Sequence, residues 1–189
     1  MNNLLRKLFI FSLLLLPIGQ ALADEYSDTI KVFQSAGESG KFFNTSYGYA
    51  VFPTIGKAGI GFGGAYGTGR VYARGKYVGD TSMAQVTVGF QLGGQAFSQI
   101  IFFKDKRAFD EFTHGNFEFG AEASAVAITA GVSAQATTTG SSAGASGGEH
   151  DAKTQGRYYH GMAIFTVAKG GLMSEASIGG QKFSYKPKK

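Results

Sequence analysis

Basic side chains alternate with tyrosines in one glycine-rich stretch, as Lys57, Arg70, Tyr72, Arg74, Lys76 and Tyr77. Guanidinium and ammonium groups of this kind can meet phosphate head groups, each basic residue near an anionic surface contributing on the order of 1 kcal/mol. Lys57, Arg70, Arg74 and Lys76 are therefore the candidate lipid head-group ligands. The rival account is a solvated face, because charge by itself argues solubility and nonspecific binding before it argues a site. Further cations stand at Lys104, Lys106 and Arg107, and at Lys182, Lys186, Lys188 and Lys189.

Other spacings resemble chemical motifs without the context that chemistry needs. Gly59, Gly61 and Gly64 fit G-x-G-x-x-G, but a dinucleotide fingerprint requires a helix after its glycines, whose amino terminus meets the pyrophosphate. The residues that follow, AYGTGRVYARGKYVG, are strand formers broken by glycine, so no helix is expected and Asp80 has no βαβ unit to place it. Glycines in strands instead allow bends, bulges and close backbone approach. G-x-S-x-G occurs at Gly140-Ser142-Gly144 and Gly144-Ser146-Gly148, in a tract of small residues with neither the strand nor the helix of a nucleophile elbow. His114, His150 and His160 lack zinc-ligand spacing, and a zinc site needs three or four converging ligands. His114 falls at a helix end. No catalytic, cofactor-binding or metal-binding residue is assigned, and no cofactor is expected.

The elements that must hold these residues are mostly strands. Tyr26, Ile30, Phe33 and Ala36 recur at three- and four-residue steps, predicting an amphipathic helix from Asp24 that ends near Gly37 or Gly40. YGYAVFP, residues 47 to 53, reads as a strand closed by its proline, and RVYARGKYVG as a hairpin around Arg74-Gly75-Lys76. QVTVGFQL alternates strictly, placing Val86, Val88, Phe90 and Leu92 on one face and Gln85, Thr87 and Gln91 on the other, the signature of a half-buried strand. QAFSQIIFF reads as a strand buried on both sides. DKRAFDEFTHG supplies a second helix near 105–114 with Asp105 as N-cap and Gly115 as stop. Residues 123–134 alternate Val126, Ile128, Ala130 and Val132 with small residues. A mobile loop is expected at about 135–157, then two strands in MAIFTVAKGG and LMSEASIGGQKFSY, then a basic tail 186–189. The expectation is a β-rich α+β single domain of short, glycine-rich, mainly antiparallel strands, forming a curved sandwich or barrel-like sheet.

Composition bounds the setting. Arg6 and Lys7 precede the apolar run LFIFSLLLLPI, and Ala21-Leu22-Ala23 follows, so residues 1–23 read as a secretory signal peptide cut before Asp24. Loss of Arg6 and Lys7 takes the formal charge from +5 to +3, too mild and dispersed for a nucleic-acid binder. The chain has no cysteine, so the fold rests on its core without disulfides. The expected location is the periplasm, with membrane association through the cations.

The blocks YGYAVFPTIGKAGIGFGGAYGTGRVY, VTVGFQLGGQAFSQIIFF, RAFDEF and FTVAKGGLMSEASIGGQKF, in that order, resemble the SYLF domain family over about Phe33 to Tyr185. The family includes yeast actin-regulating proteins and many stand-alone bacterial exported proteins. The resemblance implies a β-rich domain that binds lipids, phosphoinositides in eukaryotic members, with actin binding in the yeast branch. In lipid-binding eukaryotic relatives a basic amphipathic helix precedes the domain. Here that stretch holds Asp24, Glu25, Asp28 and Glu38 against Lys31, and would be repelled by an anionic surface. Export would also keep the chain from cytoplasmic actin.

The leading expectation is thus a non-enzymatic envelope protein binding anionic lipid head groups. Its rivals are a structural partner of another envelope protein, a small outer-membrane barrel, and an enzyme with an unrecognised constellation. Barrels want strands of about 9 to 11 residues, and the strands here read as shorter, interrupted by glycine.

Overall fold

A computed structural model describes residues 18–60, 62–88, 94–120, 123, 125–128, 158, 160–169 and 178–189. Two helices begin the described chain, α1 (Ile18–Ser35) and α2 (Gly37–Gly40), and a 3₁₀ turn at Lys41–Asn44 leads into the sheet. The strands are β1 (Gly48–Ile60), β2 (Phe62–Ala73), β3 (Lys76–Val88), β4 (Gly94–Phe103), β5 (Phe117–Glu118), β6 (Val126–Ile128), β7 (Met162–Lys169) and β8 (Lys182–Pro187), with α3 (Lys106–Thr113) between β4 and β5. They form one curled half-barrel in the order β5-β8-β3-β2-β1-β4-β7-β6. Neighbours pair antiparallel except β6 with β7, which run parallel. The β-rich α+β expectation therefore holds, with the two expected helices in place.

Each face of the sheet has its own core. The inner face packs Phe52, Ile55, Met83, Ile101, Phe103 and Phe183 against Ala108 and Phe112 of α3. Asp105 caps α3 as its sequence requires, its side chain accepting from the Ala108 N–H at 3.0 Å, and Gly115 closes the element at φ 110°. The outer face packs Val51, Ile100, Phe102 and Phe165 against Phe33 of α1 and Phe42 of the 3₁₀ turn. Because both faces of β4 are covered, its run from Phe97 to Phe103 is buried throughout, which is why the strand ends in the unbroken apolar stretch Ile100 to Phe103, its buried polar residues Ser98 and Gln99 being hydrogen-bonded. No helix among the described residues is long and apolar enough to cross a membrane.

The structure departs from sequence expectation in several places. The helix begins earlier than Asp24, at Ile18. β1 does not stop at Pro53 but runs on to Ile60. A register shift between Val51 and Ile55 absorbs the missing N–H, and Ser98 Oγ donates to the Pro53 carbonyl at 2.6 Å. The central strands are also long: β1 has 13 residues, β2 has 12, β3 has 13 and β4 has 10. Glycine does not interrupt them; it lets them crowd. A Cβ at Gly69 would lie 2.7 Å from the Phe52 ring, and one at Gly67 would lie 2.6 Å from Ile55 Cγ1. Beyond Gly64, β2 continues as strand, so no helix meets the G-x-G-x-x-G glycines. The hairpin after β2 forms at Arg74-Gly75, both with positive φ (50° and 75°), as a two-residue turn of the primed kind demands.

The largest correction concerns β3. Its apolar side was expected inward, yet Val86 is 81% exposed and Gln85 is 5% exposed. Gln85 Nε2 donates to the Gly179 carbonyl at 2.8 Å, so the polar side of the strand is satisfied inside the curl. Phe90, Gln91 and Leu92, the loop at about 135–157, both G-x-S-x-G spacings and His150 lie outside the described residues.

Candidate functional site

Strand register brings residues from distant parts of the chain into rows on the outer face. Arg70 of β2 pairs with Asp80 of β3, and Asp80 with Lys186 of β8. The next row toward the β1–β2 turn is Thr68, Ser82 and Ser184. Together with Tyr26 of α1 these residues line a groove of about 420 Å³. One row therefore carries charge and the next carries hydroxyls, with Ser82 Oγ and Ser184 Oγ hydrogen-bonded to each other at 2.7 Å.

Tyrosines hold the cations. The Arg70 guanidinium lies 4.3 Å from the Tyr26 ring centroid and 5.2 Å from that of Tyr77, and Lys188 Nζ lies 5.0 Å from Tyr77. Stacking on ring faces fixes a guanidinium while leaving its edge N–H groups for another partner. The Tyr77 hydroxyl donates to Asp80 Oδ1 at 2.7 Å. Burial and then that hydrogen bond push the Tyr77 phenol up to about 12, and burial raises Tyr26 against the opposing effects of Thr68 and Arg70. Both phenols are neutral at physiological pH. The charge of the groove is thus set by Arg70, Lys186 and Asp80, leaving one net positive charge against a ligand.

The helix that supplies Tyr26 is pinned to the sheet through the preceding residue, Glu25. Glu25 Oε1 accepts from Thr54 Oγ1 at 2.8 Å and lies 3.3 Å from Lys169 Nζ, which itself donates to Thr54 Oγ1 at 2.7 Å. The Thr54 hydrogen bond, with Lys169 adding to it, outweighs burial and holds the Glu25 carboxyl below its ordinary value. Glu25, an acid that would repel an anionic surface, is thus turned toward the sheet. Asp28, its neighbour one turn on, pairs with Lys31 at 3.1 Å.

The four sequence candidates do not share one place. Arg70 forms the groove. Arg74 occupies the hairpin turn, its guanidinium 5.2 Å from the Tyr47 ring, and Lys76 opens β3 as an exposed residue beside that turn. Lys57 is elsewhere: it pairs with Ala65 of the inner core, on the other face, and lies six residues along β1 from the Arg70 partner Val51, roughly 20 Å at strand rise. Lys186, expected in a basic tail, is a strand residue of the groove. Tyr26, Thr68, Asp80, Ser82 and Ser184 were not singled out as ligands. Their only local signal is parity within each strand, and parity does not say which strands are neighbours. Among the described residues no cluster of His, Cys, Asp and Glu could hold a metal ion, and no histidine lines the groove.

A family profile described as Ysc84, Las17-binding protein actin regulator, matches residues 84–188, more than half of the chain. The chain belongs to the Ysc84 family. The match agrees with the SYLF resemblance read from the sequence. In this Ysc84-family chain the matched region contributes Ser184 and Lys186 to the groove, while Tyr26, Arg70 and Asp80 precede it. The chain is also similar to Beta cell expansion factor A of Aeromonas veronii, at 28% identity over 158 residues covering 82% of this chain. It spans about half of that relative, 51% of its length.

Proposed function

We propose that this Ysc84-family protein is a non-enzymatic binder of anionic phospholipid head groups in the bacterial envelope, and that the outer-face groove is its head-group site. The observation that carries this is the row Arg70–Asp80–Lys186 set directly above the hydroxyl row Thr68–Ser82–Ser184. Cations can take the phosphate, while the serines, the threonine and the Asp80 carboxylate can meet glycerol or polyol hydroxyls. A leader at residues 1–23 would deliver the chain across the inner membrane, away from cytoplasmic actin, so the actin regulation in the family description is not carried over.

Flotation with phosphatidylglycerol or cardiolipin vesicles at low and moderate salt tests the reading. The wild type is expected to float at low salt. Replacing Arg70→Ala and Lys186→Ala together should weaken binding by more than about tenfold, each cation contributing on the order of 1 kcal/mol. The far-UV spectrum should be unchanged, because neither side chain belongs to a core. Absence of wild-type flotation at low salt would sink the assignment.

A further inference from the structure

Following the rows of the outer face away from Arg70 shows a graded surface. Beyond the hydroxyls comes the row Lys169, Ala96, Gly56, Tyr66, Ala84 and Lys182, which crosses β7, β4, β1, β2, β3 and β8. Beyond that comes Gly94, Ala58, Gly64 and Val86, and the last register row is Ile60, Phe62 and Val88. Charge ends at the lysine row. Lys169 is 3.3 Å from Glu25 and Lys182 is 3.5 Å from Glu118, so these pairs form a polar border rather than free cations. Between them Tyr66 is 60% exposed, and one row further Val86 is 81% exposed.

Across the same strands the inner face runs the other way. Gln85 is buried there and donates to the Gly179 carbonyl at 2.8 Å, and Lys57 pairs with Ala65 on that side. At this end of the sheet the exposed outer residues are Tyr66 and Val86 while Gln85 is buried inside, the reverse of the pattern of a sheet with one face in water. This reversal matches the polarity of strands that contact lipid, where tyrosine marks the interface and aliphatic residues lie deeper. The charge also fits: residues 81–103 carry no charged side chain and residues 54–66 carry only Lys57, so beyond the row of Lys169 and Lys182 these strands offer an anionic surface no carboxylate.

We propose that the distal ends of β1, β2 and β3 enter the hydrocarbon of one leaflet of an anionic bilayer, Tyr66 lying at the interface and the Arg70 groove at head-group level. The spacing agrees with this. From the Tyr66 row to the Phe62 row is four residues, roughly 13 Å of strand, and one leaflet of hydrocarbon is about 15 Å. From the Arg70 row to the Tyr66 row is again four residues, roughly 13 Å of strand, which at the roughly 45° tilt of membrane strands rises about 9 Å, close to the roughly 5–8 Å that the head-group region spans on one side. The inference rests on the lipid reading above but uses a different surface, so the two can fail separately.

The chain has no cysteine, so a single thiol can be labelled cleanly. Full-length protein carrying Val86→Cys, labelled with an environment-sensitive fluorophore, is mixed with phosphatidylglycerol vesicles whose lipids bear quenchers on the head group or on the acyl chain. Binding is scored in parallel by flotation. Entry predicts a rise in emission on binding, and stronger quenching from the acyl chain than from the head group. Unlabelled Val86→Glu should float less than wild type, by up to about tenfold, as a charge on a lipid-facing strand position opposes entry and an acid is also repelled by the anionic surface, with its thermal midpoint unchanged because the side chain is exposed in the folded protein. Flotation with a label that stays in water overturns this inference and leaves the head-group reading standing. No flotation overturns both. A label that responds to protein concentration without vesicles shows instead that a second copy covers the face, and overturns it.

Discussion

Single side chains decide which face of this sheet is inside. Gln99 and Gln181 are fully buried and satisfy each other reciprocally, a pairing that links β4 to the segment before β8. A buried amide left without its partner costs about 1–3 kcal/mol. Gln99→Leu alone is therefore expected to lower unfolding stability by that amount, whereas Gln99→Leu with Gln181→Leu should cost clearly less than the two single changes added. Urea denaturation of the four species measures the coupling, and strict additivity would show that the pair does not act as a unit. The inversion at Gln85 and Val86 belongs to the same scale. At Gln85 and Val86 the alternation does mark two unlike faces; it does not say that apolar means inward, because that depends on what else fills the curl.

Among the elements, α1 carries the clearest consequence. Its amphipathic spacing was legible, and Phe33 does reach the outer core. What was not legible is that Glu25 reaches Thr54 and Lys169 and that Tyr26 becomes a wall of the groove. Both partners come from strands far along the chain, invisible to a helical period. The Glu25 carboxyl is held below its ordinary value of 4.5, so its contribution is present above pH 4.5 and is lost as pH falls through the folded value. Glu25→Gln should be less stable than wild type at pH 7 by no more than about 0.5 kcal/mol, because the pair is part-exposed and screened. The gap should close on acidification below 4.5; thermal melts of both proteins across that range give the answer, and a gap that widens would contradict the assignment.

The whole molecule combines a charged groove and an apolar strand end on one outer face. Electrostatic attraction is screened by salt, with a Debye length of about 3 Å at 1 M, whereas apolar burial is not weakened by it. Vesicle-bound wild type is therefore expected to lose only part of its bound fraction at about 1 M salt, while Val86→Glu should be released completely. Stepwise flotation reads this directly, and complete release of the wild type would assign all binding to the groove. At this scale the fold class was legible, since glycine among β-branched and aromatic residues marks curled sheet. The candidate groove was legible only in part: Arg70 was named, but Lys57 stands on the other face and Lys186 was read as tail.

Local order along the chain determined the elements by itself. Period and turn chemistry act between near neighbours, so Asp105 caps α3, Arg74-Gly75 turns the hairpin, and the apolar run Ile100 to Phe103 that ends β4 is buried on both sides. Tertiary structure decided the register that sets Arg70, Asp80 and Lys186 in one row, and the curl that admits Gln85 while leaving Val86 outside. These depend on which strands become neighbours and on what volume the curl encloses, quantities summed over distant residues that no local window contains.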